Sequence, residues 1–140
     1  VPDGIAGIFQ CNEADEVVYL KHRKGLAKLS LRTGRPIVPA YSVGNTEAFS
    51  AWYDKYGVME YLSRKAQASV FLYWGRYGLP IPHRCNITLI CGSPILVEQT
   101  DNPTQEQIDE VHERLLAGIK HCFDSHKTSL GWGHKNMRFV

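Results

Sequence analysis

The sequence lacks any long uninterrupted hydrophobic run. Its most hydrophobic regions are broken by proline or arginine, at Pro36, Pro39, Arg76 and Pro82. A helix that crosses a bilayer needs about 20 consecutive apolar residues. We therefore expect no membrane span within these 140 residues.

Excess charge of one sign and patterned cysteines are also missing. The formal net charge is +2, and a balance this near to neutrality gives no basis in bulk charge for a nucleic-acid or an anionic-lipid partner. The cysteines show neither a CxxC pair nor a framework spacing, at Cys11, Cys85, Cys91 and Cys122. This favours free thiols in a reducing compartment over disulfides. A hydrophobic fraction of 44% is typical of a folded globular chain.

The beginning of the chain has no initiator methionine and no signal-peptide pattern. Val1 opens a loop-like Val-Pro-Asp-Gly segment. A length of 140 residues fits one domain with one core. We expect residues 1–140 to be a segment of a longer chain.

Alternating strand and helix signals predict an α/β fold with a mixed sheet flanked by helices. Short apolar runs predict strands at 5–9, 17–20, 36–43, 86–91 and 95–97. Of these, 36–43 reads as buried on both faces. Helical spacing and aromatic content predict helices at 24–33 and 46–64. Gly34 is expected to end the first helix in the left-handed conformation, and Gly44 and Asn45 to form a turn.

The last helix has the clearest local signal. Thr104 and Gln107 form a capping box at its start. A near 3.6-residue period predicts its core face as Ile108, Val111, Leu115, Ile119 and Cys122 or Phe123. Residues 74–84 contain two glycines and two prolines, and we expect a structured loop there.

Residues 21–35, here called the basic block, are locally cationic in a balanced chain. They contain no acid and include Lys21, Arg23, Lys24, Lys28, Arg32 and Arg35. On a helix Lys24, Lys28 and Arg32 share one face, with Leu26, Leu29 and Thr33 opposite, and Leu31 does not fit this division. Such a block at a helix N-terminus either holds a phosphate or forms a solvated charged face.

Spacing alone reveals no catalytic or metal centre. The histidines have no HExxH spacing, and Gly92-Ser93-Pro94 lacks the spacing of a nucleophile elbow. We expect surface or helix-end histidines and no bound metal.

Four ordered motifs together resemble the type 2 diacylglycerol acyltransferase family. The longest runs from Arg23 through Gly34 to Ile37-Val38-Pro39-Ala40-Tyr41-Ser42-Val43-Gly44-Asn45. The second is the segment 74–84 with its Gly-Arg and Leu-Pro-Ile-Pro, the third is Gly92-Ser93-Pro94-Ile95, and the fourth is Phe123-Asp124-Ser125-His126-Lys127. The resemblance covers essentially all of this chain and only the C-terminal portion of the family chain. It implies that residues 1–140 are the C-terminal part of a single acyltransferase domain.

The resemblance implies an enzyme that transfers a fatty acyl group from acyl-CoA to diacylglycerol and forms triacylglycerol. It also implies a location at the cytosolic face of the endoplasmic reticulum membrane, with lipid droplets as a further location. Acyl-CoA would be a co-substrate and no cofactor would be needed; homo-oligomerisation stays open. The family's histidine base lies in a His-Pro-His-Gly motif that is absent here, so no catalytic residue is expected in this fragment, which should be inactive alone.

The resemblance also assigns site residues. Arg23, Lys24, Gly25 and Lys28 match signature positions and would bind the CoA phosphates or a lipid headgroup. Four further motif positions are expected near the site: Pro39, Gly44, Asn45 and Arg76. Arg76 would pair with a buried acid or with a ligand.

Two departures from the family pattern keep alternatives open. Gly7 and Asn45 stand where the family usually has glutamate. A non-catalytic lipid- or acyl-CoA-binding relative would suit these losses. A sibling acyltransferase acting on monoacylglycerol or fatty alcohol, and a soluble phosphate-binding module, are further readings.

Overall fold

Two helices and six short strands make up the described part of the chain. The computed structural model describes residues 15–51, 61, 65 and 73–140. In chain order the elements are β1 (Asp15–Val18), α1 (Gly25–Thr33), β2 (Ala40–Val43), β3 (Ser50–Ala51), β4 (Tyr73–Trp74), β5 (Thr88–Cys91), α2 (Gln105–His126) and β6 (Asn136–Phe139). Single 3-10 turns lie at Asn45–Glu47 and Arg76–Gly78.

The strands pair in three two-stranded ladders of mixed direction. β1 and β6 are parallel, with Asp15 opposite Asn136. β2 and β5 are antiparallel, with Ala40 opposite Cys91, as are β3 and β4. An isolated bridge between Ile37 and Ile95 extends the second ladder. The expected α/β character with mixed strand pairing is confirmed.

Helix α2 is the central packing element. The predicted capping box is present, because Thr104 and Gln107 each bond the other's backbone. The predicted core face is buried throughout, and at its end both Cys122 and Phe123 are buried. The chief core residues are Leu20, Ala27, Leu31, Val43, Ile90, Leu115, Phe123, Trp132 and Met137.

Helix α1 ends as predicted, but it buries a different side. Gly34 adopts the left-handed conformation at φ 65°. The buried residues are Ala27, Ser30 and Leu31, whereas Leu26 and Leu29 are exposed. The cause is tertiary: α1 packs against α2, and the Leu31 carbonyl accepts a hydrogen bond from the Thr100 N–H at 2.8 Å.

Other differences also reflect pairing between distant segments. Strand β2 starts only at Ala40 and is partly exposed, so the prediction of a strand buried on both faces was wrong. Ser50–Ala51 is a strand paired with β4 and not part of a helix, although both residues fall within the helix predicted at 46–64. Strand β6, which we did not predict, pairs with β1. The predicted strand at 5–9 and most of the predicted helix at 46–64 lie outside the described residues.

Candidate functional site

Helix α2 fixes the start of the basic block at two points. Lys24 Nζ donates to Asp109 Oδ1 at 2.8 Å, in a pair whose side chains both stay partly exposed. His112 is buried and its Nε2 lies 3.1 Å from the Lys21 carbonyl oxygen. Since a carbonyl only accepts, Nε2 carries the proton. Hydrogen bonding from Lys24 holds the pKa of the Asp109 carboxyl below its ordinary value.

The other basic side chains of the block face solvent. The Arg23 guanidinium lies 5.3 Å from the centre of the Tyr19 ring, and Lys28 is exposed one turn along α1. At Gly25 an added Cβ would meet nothing within 4 Å, so the backbone there is open. Three cationic side chains therefore surround the first turn of α1, and the predicted residues Arg23, Lys24, Gly25 and Lys28 are neighbours.

Pro39 lies against the second half of α2. A Cβ on Gly118 would come 2.8 Å from Pro39 Cγ, so a small residue is needed at this contact. The Pro39 carbonyl accepts a hydrogen bond from the Gly92 N–H at 2.8 Å. The proline of the long motif and the glycine of the Gly-Ser-Pro motif thus meet in space.

The turn after β2 requires glycine for two reasons. Gly44 has a φ of +98°, and a Cβ there would lie 2.2 Å from the Asn86 carbonyl oxygen. The next residue, Asn45, accepts a hydrogen bond from the Ser42 hydroxyl at 3.1 Å. Asn45 is exposed, so its side chain is held at the surface beside the close crossing of two backbone segments.

A buried ion pair joins β1 to the segment before β6. Lys135 Nζ lies 3.1 Å from Glu16 Oε1, although the two residues are only 8% and 4% exposed. The second carboxylate oxygen of Glu16 accepts a hydrogen bond from the Tyr41 hydroxyl at 2.7 Å. Buried charges are costly unless they are paired and hydrogen bonded, and this pair is both.

Trp132 extends this network to the Gly44 turn. Its Nε1 donates to Glu47 Oε1 at 3.0 Å, and Lys135 Nζ lies 3.9 Å from the centre of its ring. The C-terminal segment is therefore linked to two parts of the chain around β2. Lys135 is connected to Tyr41 on β2 through Glu16, and Trp132 bonds Glu47 in the turn that follows β2. The sequence analysis did not identify Glu16, Trp132 or Lys135. The one available signal was the position of Glu16 directly before the two valines of the strand predicted at 17–20.

Arg76 lies in a separate loop that is tied to the same turn region. Its guanidinium stacks 5.3 Å from the Tyr77 ring centre and donates to the Tyr77 hydroxyl at 3.3 Å. The loop is anchored where the His83 N–H donates to the Ala48 carbonyl at 2.8 Å. Among the described residues the partner of the Arg76 guanidinium is Tyr77, and a ligand partner for Arg76 stays a prediction.

Apart from Arg76, the predicted site residues thus fall into two groups. The basic block is held by the first half of α2, whereas Pro39 directly precedes β2 and Gly44 and Asn45 directly follow it, with Gly44 against Asn86. An open pocket of about 270 Å³ lies elsewhere, lined by residues of α1, α2 and the segment between β5 and α2, including Leu31, Val97, Gln107 and Arg114. None of the predicted site residues lines it.

Metal and membrane features were sought in the same residues. Within the described ranges, no three His, Cys, Asp or Glu side chains are grouped so that they could hold a metal ion. Neither described helix has the length and apolar character that crossing a membrane requires.

Comparison with known proteins agrees with the motifs. The family model for diacylglycerol acyltransferase matches residues 1–139. Diacylglycerol O-acyltransferase 2 of Xenopus tropicalis is 31% identical over 96% of this chain and 40% of its own length. The 2-acylglycerol O-acyltransferase 1 of Bos taurus is 34% identical over 81% and 37% respectively.

A relative whose name refers to another acyl acceptor, a wax alcohol, also matches at lower identity. Acyl-CoA wax alcohol acyltransferase 2 of Homo sapiens is 28% identical over 91% of this chain and 42% of its own length. The chain therefore spans about two fifths of the length of these curated relatives. No solved structure matches. On the family match over residues 1–139, the chain belongs to the diacylglycerol acyltransferase family.

Proposed function

We propose that the whole protein transfers a fatty acyl group from acyl-CoA to diacylglycerol and forms triacylglycerol. The observation that carries this proposal is the family match over residues 1–139, together with the diacylglycerol O-acyltransferase 2 relatives. In this reaction the acceptor hydroxyl oxygen attacks the thioester carbonyl. A C–O bond forms, the C–S bond breaks, and the hydroxyl proton passes through a base to the CoA thiolate. In the family this base is expected to be the histidine of a His-Pro-His-Gly motif, which residues 1–140 do not contain.

Within this chain the basic block would hold acyl-CoA. Phosphate oxygens accept charge-assisted hydrogen bonds from ammonium and guanidinium groups, and Arg23, Lys24 and Lys28 surround one helix start. The bond from Lys24 to Asp109 uses one of the three donors of the ammonium group, which leaves others for a phosphate. Acyl-CoA serves as co-substrate, and no further cofactor is invoked.

We place the protein at the cytosolic face of the endoplasmic reticulum membrane, with lipid droplets as a second location. Diacylglycerol and triacylglycerol are too apolar to dissolve in water, so the reaction needs a lipid phase. A sibling activity is the second candidate, because relatives named for 2-acylglycerol and wax alcohol match at similar identity.

The direct test is acyl transfer by the full-length protein. Membranes of a triacylglycerol-deficient host that expresses it are supplied with labelled acyl-CoA and, in separate reactions, diacylglycerol, monoacylglycerol or fatty alcohol. We expect labelled triacylglycerol from diacylglycerol. Product from another acceptor alone would identify a sibling enzyme. No product from well-expressed protein would favour the non-catalytic relative, in keeping with the missing glutamates at Gly7 and Asn45.

Variants of Lys24 and Asp109 distinguish a role of Lys24 in substrate binding from a role in supporting the fold. Lys24→Gln removes the cation, and we expect the KM for acyl-CoA to rise at least about tenfold, as for loss of one charge-assisted hydrogen bond of about 1.5–3 kcal/mol. Asp109→Asn breaks the same ion pair but keeps the cation, so the KM should not rise. Steady-state kinetics measure both variants.

The control for these variants is Lys120→Gln. Lys120 forms an exposed pair with Asp124 at 2.6 Å on the same helix that carries Asp109. Its loss should leave the KM unchanged. Equal rises in KM for Lys24→Gln and Asp109→Asn would show that the ion pair supports the fold and that Lys24 does not bind the phosphates.

A further inference from the structure

The loop between β4 and β5 is closed by its own backbone. The Gly75 N–H donates to the Leu79 carbonyl and the Arg76 N–H to the Ile81 carbonyl, both at 2.8 Å. A Cβ at Gly75 would lie 1.8 Å from the Ile81 carbonyl oxygen, so the two ends of the loop are in contact. Residues 75–81, here called the aromatic loop, therefore have a defined shape rather than an open extended one.

This defined shape leaves large apolar side chains in solvent. Tyr77 is 83% exposed and Leu79 is 52% exposed. Ile81 and the two residues of β4, Tyr73 and Trp74, are each more than two fifths exposed. Grouped exposed apolar residues on a well-formed loop usually mark an interaction surface, because single exposed apolar residues are common but clusters are not.

Tyr77 is held outward at a backbone cost. Its φ is +62°, a region that non-glycine residues seldom occupy outside functional or tightly determined sites. The Arg76 guanidinium stacks on the same ring. The loop tip therefore presents an aromatic ring with a cation beside it.

Charge decides which partner suits this tip. The loop and its flanks, residues 73–84, contain no aspartate or glutamate, whereas they contain Arg76 and Arg84. Tyrosine, tryptophan and arginine side chains are enriched where apolar groups meet phosphate headgroups, since each has an apolar body and a polar end. A surface that combines apolar groups with negative charge complements this loop.

We propose that the aromatic loop inserts into the headgroup region of a phospholipid bilayer that contains anionic lipid. Tyr77 and Leu79 enter the boundary between headgroups and acyl chains, and Arg76 contacts lipid phosphate. The loop would place the β2 turn near the membrane surface, because the His83 N–H bonds the Ala48 carbonyl next to that turn. This contact rests on the membrane location proposed above, and it is independent of which acceptor the protein acylates.

Site-specific photocrosslinking tests the contact in the full-length protein. Benzoylphenylalanine replaces Tyr77, and the protein is reconstituted in phosphatidylcholine vesicles with and without phosphatidylserine. After irradiation, mass spectrometry identifies the adduct. The same photoreactive residue in place of Glu113, exposed on α2, is the control. We expect phospholipid adducts at position 77, several-fold above those at position 113 and more abundant with phosphatidylserine.

Arg76→Gln in the same protein tests the role of charge. It should reduce the gain caused by phosphatidylserine, by up to about fivefold for one basic side chain at an anionic surface. An adduct at position 77 with another segment of the chain or with a second protein would overturn the proposal. Lipid adducts no more frequent than at position 113, or no adduct at all, would overturn it as well.

Discussion

Lys135→Met is expected to destabilise the full-length protein by about 3–5 kcal/mol, because it leaves the buried Glu16 carboxylate without its ammonium partner. Methionine keeps most of the side-chain length against the Trp132 ring, so the loss reports mainly on charge. Denaturant unfolding of the purified protein measures the change in the free energy of unfolding. We expect the double variant Glu16→Gln, Lys135→Met to recover most of that loss, since neither residue then carries a charge.

The same two strands supply a matched control. Arg138 on β6 forms an ion pair with Asp15 on β1 at 3.0 Å, but the arginine side chain is mostly exposed. Arg138→Met should cost at most about 1 kcal/mol, as is usual for surface pairs. Equal losses for the Lys135 and Arg138 variants would contradict the view that burial makes the Glu16 pair important.

The buried pair has a functional consequence through Trp132. If the C-terminal segment loosens, the indole no longer donates to Glu47, and the turn at Gly44 and Asn45 loses a support. The Lys135 variant should therefore lose acyl transfer as well as stability. The double variant should regain both together, because the same contacts serve both.

Local signals in the sequence were sufficient for α2 and for the end of α1. A capping box and a 3.6-residue period depend on neighbours within a few residues, and Gly34 ends α1 through its own backbone conformation. The buried side of α1 was not predictable in the same way. A helix this short has few turns to establish a period, and packing against α2 selected Leu31 over Leu26 and Leu29.

The candidate site was predictable as a set of motif positions but not as a set of contacts. Lys24 and its partner Asp109 are 85 positions apart, and Glu16 and Lys135 are 119 positions apart. No local pattern encodes such pairs, since the fold alone brings them together. The resemblance supplied the motif positions, while the buried charges that connect β1, β2 and the C-terminal segment emerged only from the structure.

Gly44→Ala is expected to reduce both stability and acyl transfer severely. The added methyl group would lie 2.2 Å from the Asn86 carbonyl oxygen, and φ at this position is +98°. Backbone strain and overpacking together should lower the free energy of unfolding by about 2–5 kcal/mol. Acyl transfer should fall further than stability alone explains, because any shift of this turn displaces Asn45 and Glu47.

Gly131→Ala separates the two causes. Gly131 also has a positive φ, +81°, but an added Cβ there would meet nothing within 4 Å. It should therefore show the backbone cost alone, about 1–2 kcal/mol, with acyl transfer retained. If the two alanine variants lose equal stability and both keep activity, the backbone at Gly44 must be able to move away from Asn86. The close approach of Gly44 to Asn86 would then not be what fixes the turn. Glycine would be required at position 44 only because the backbone there is left-handed.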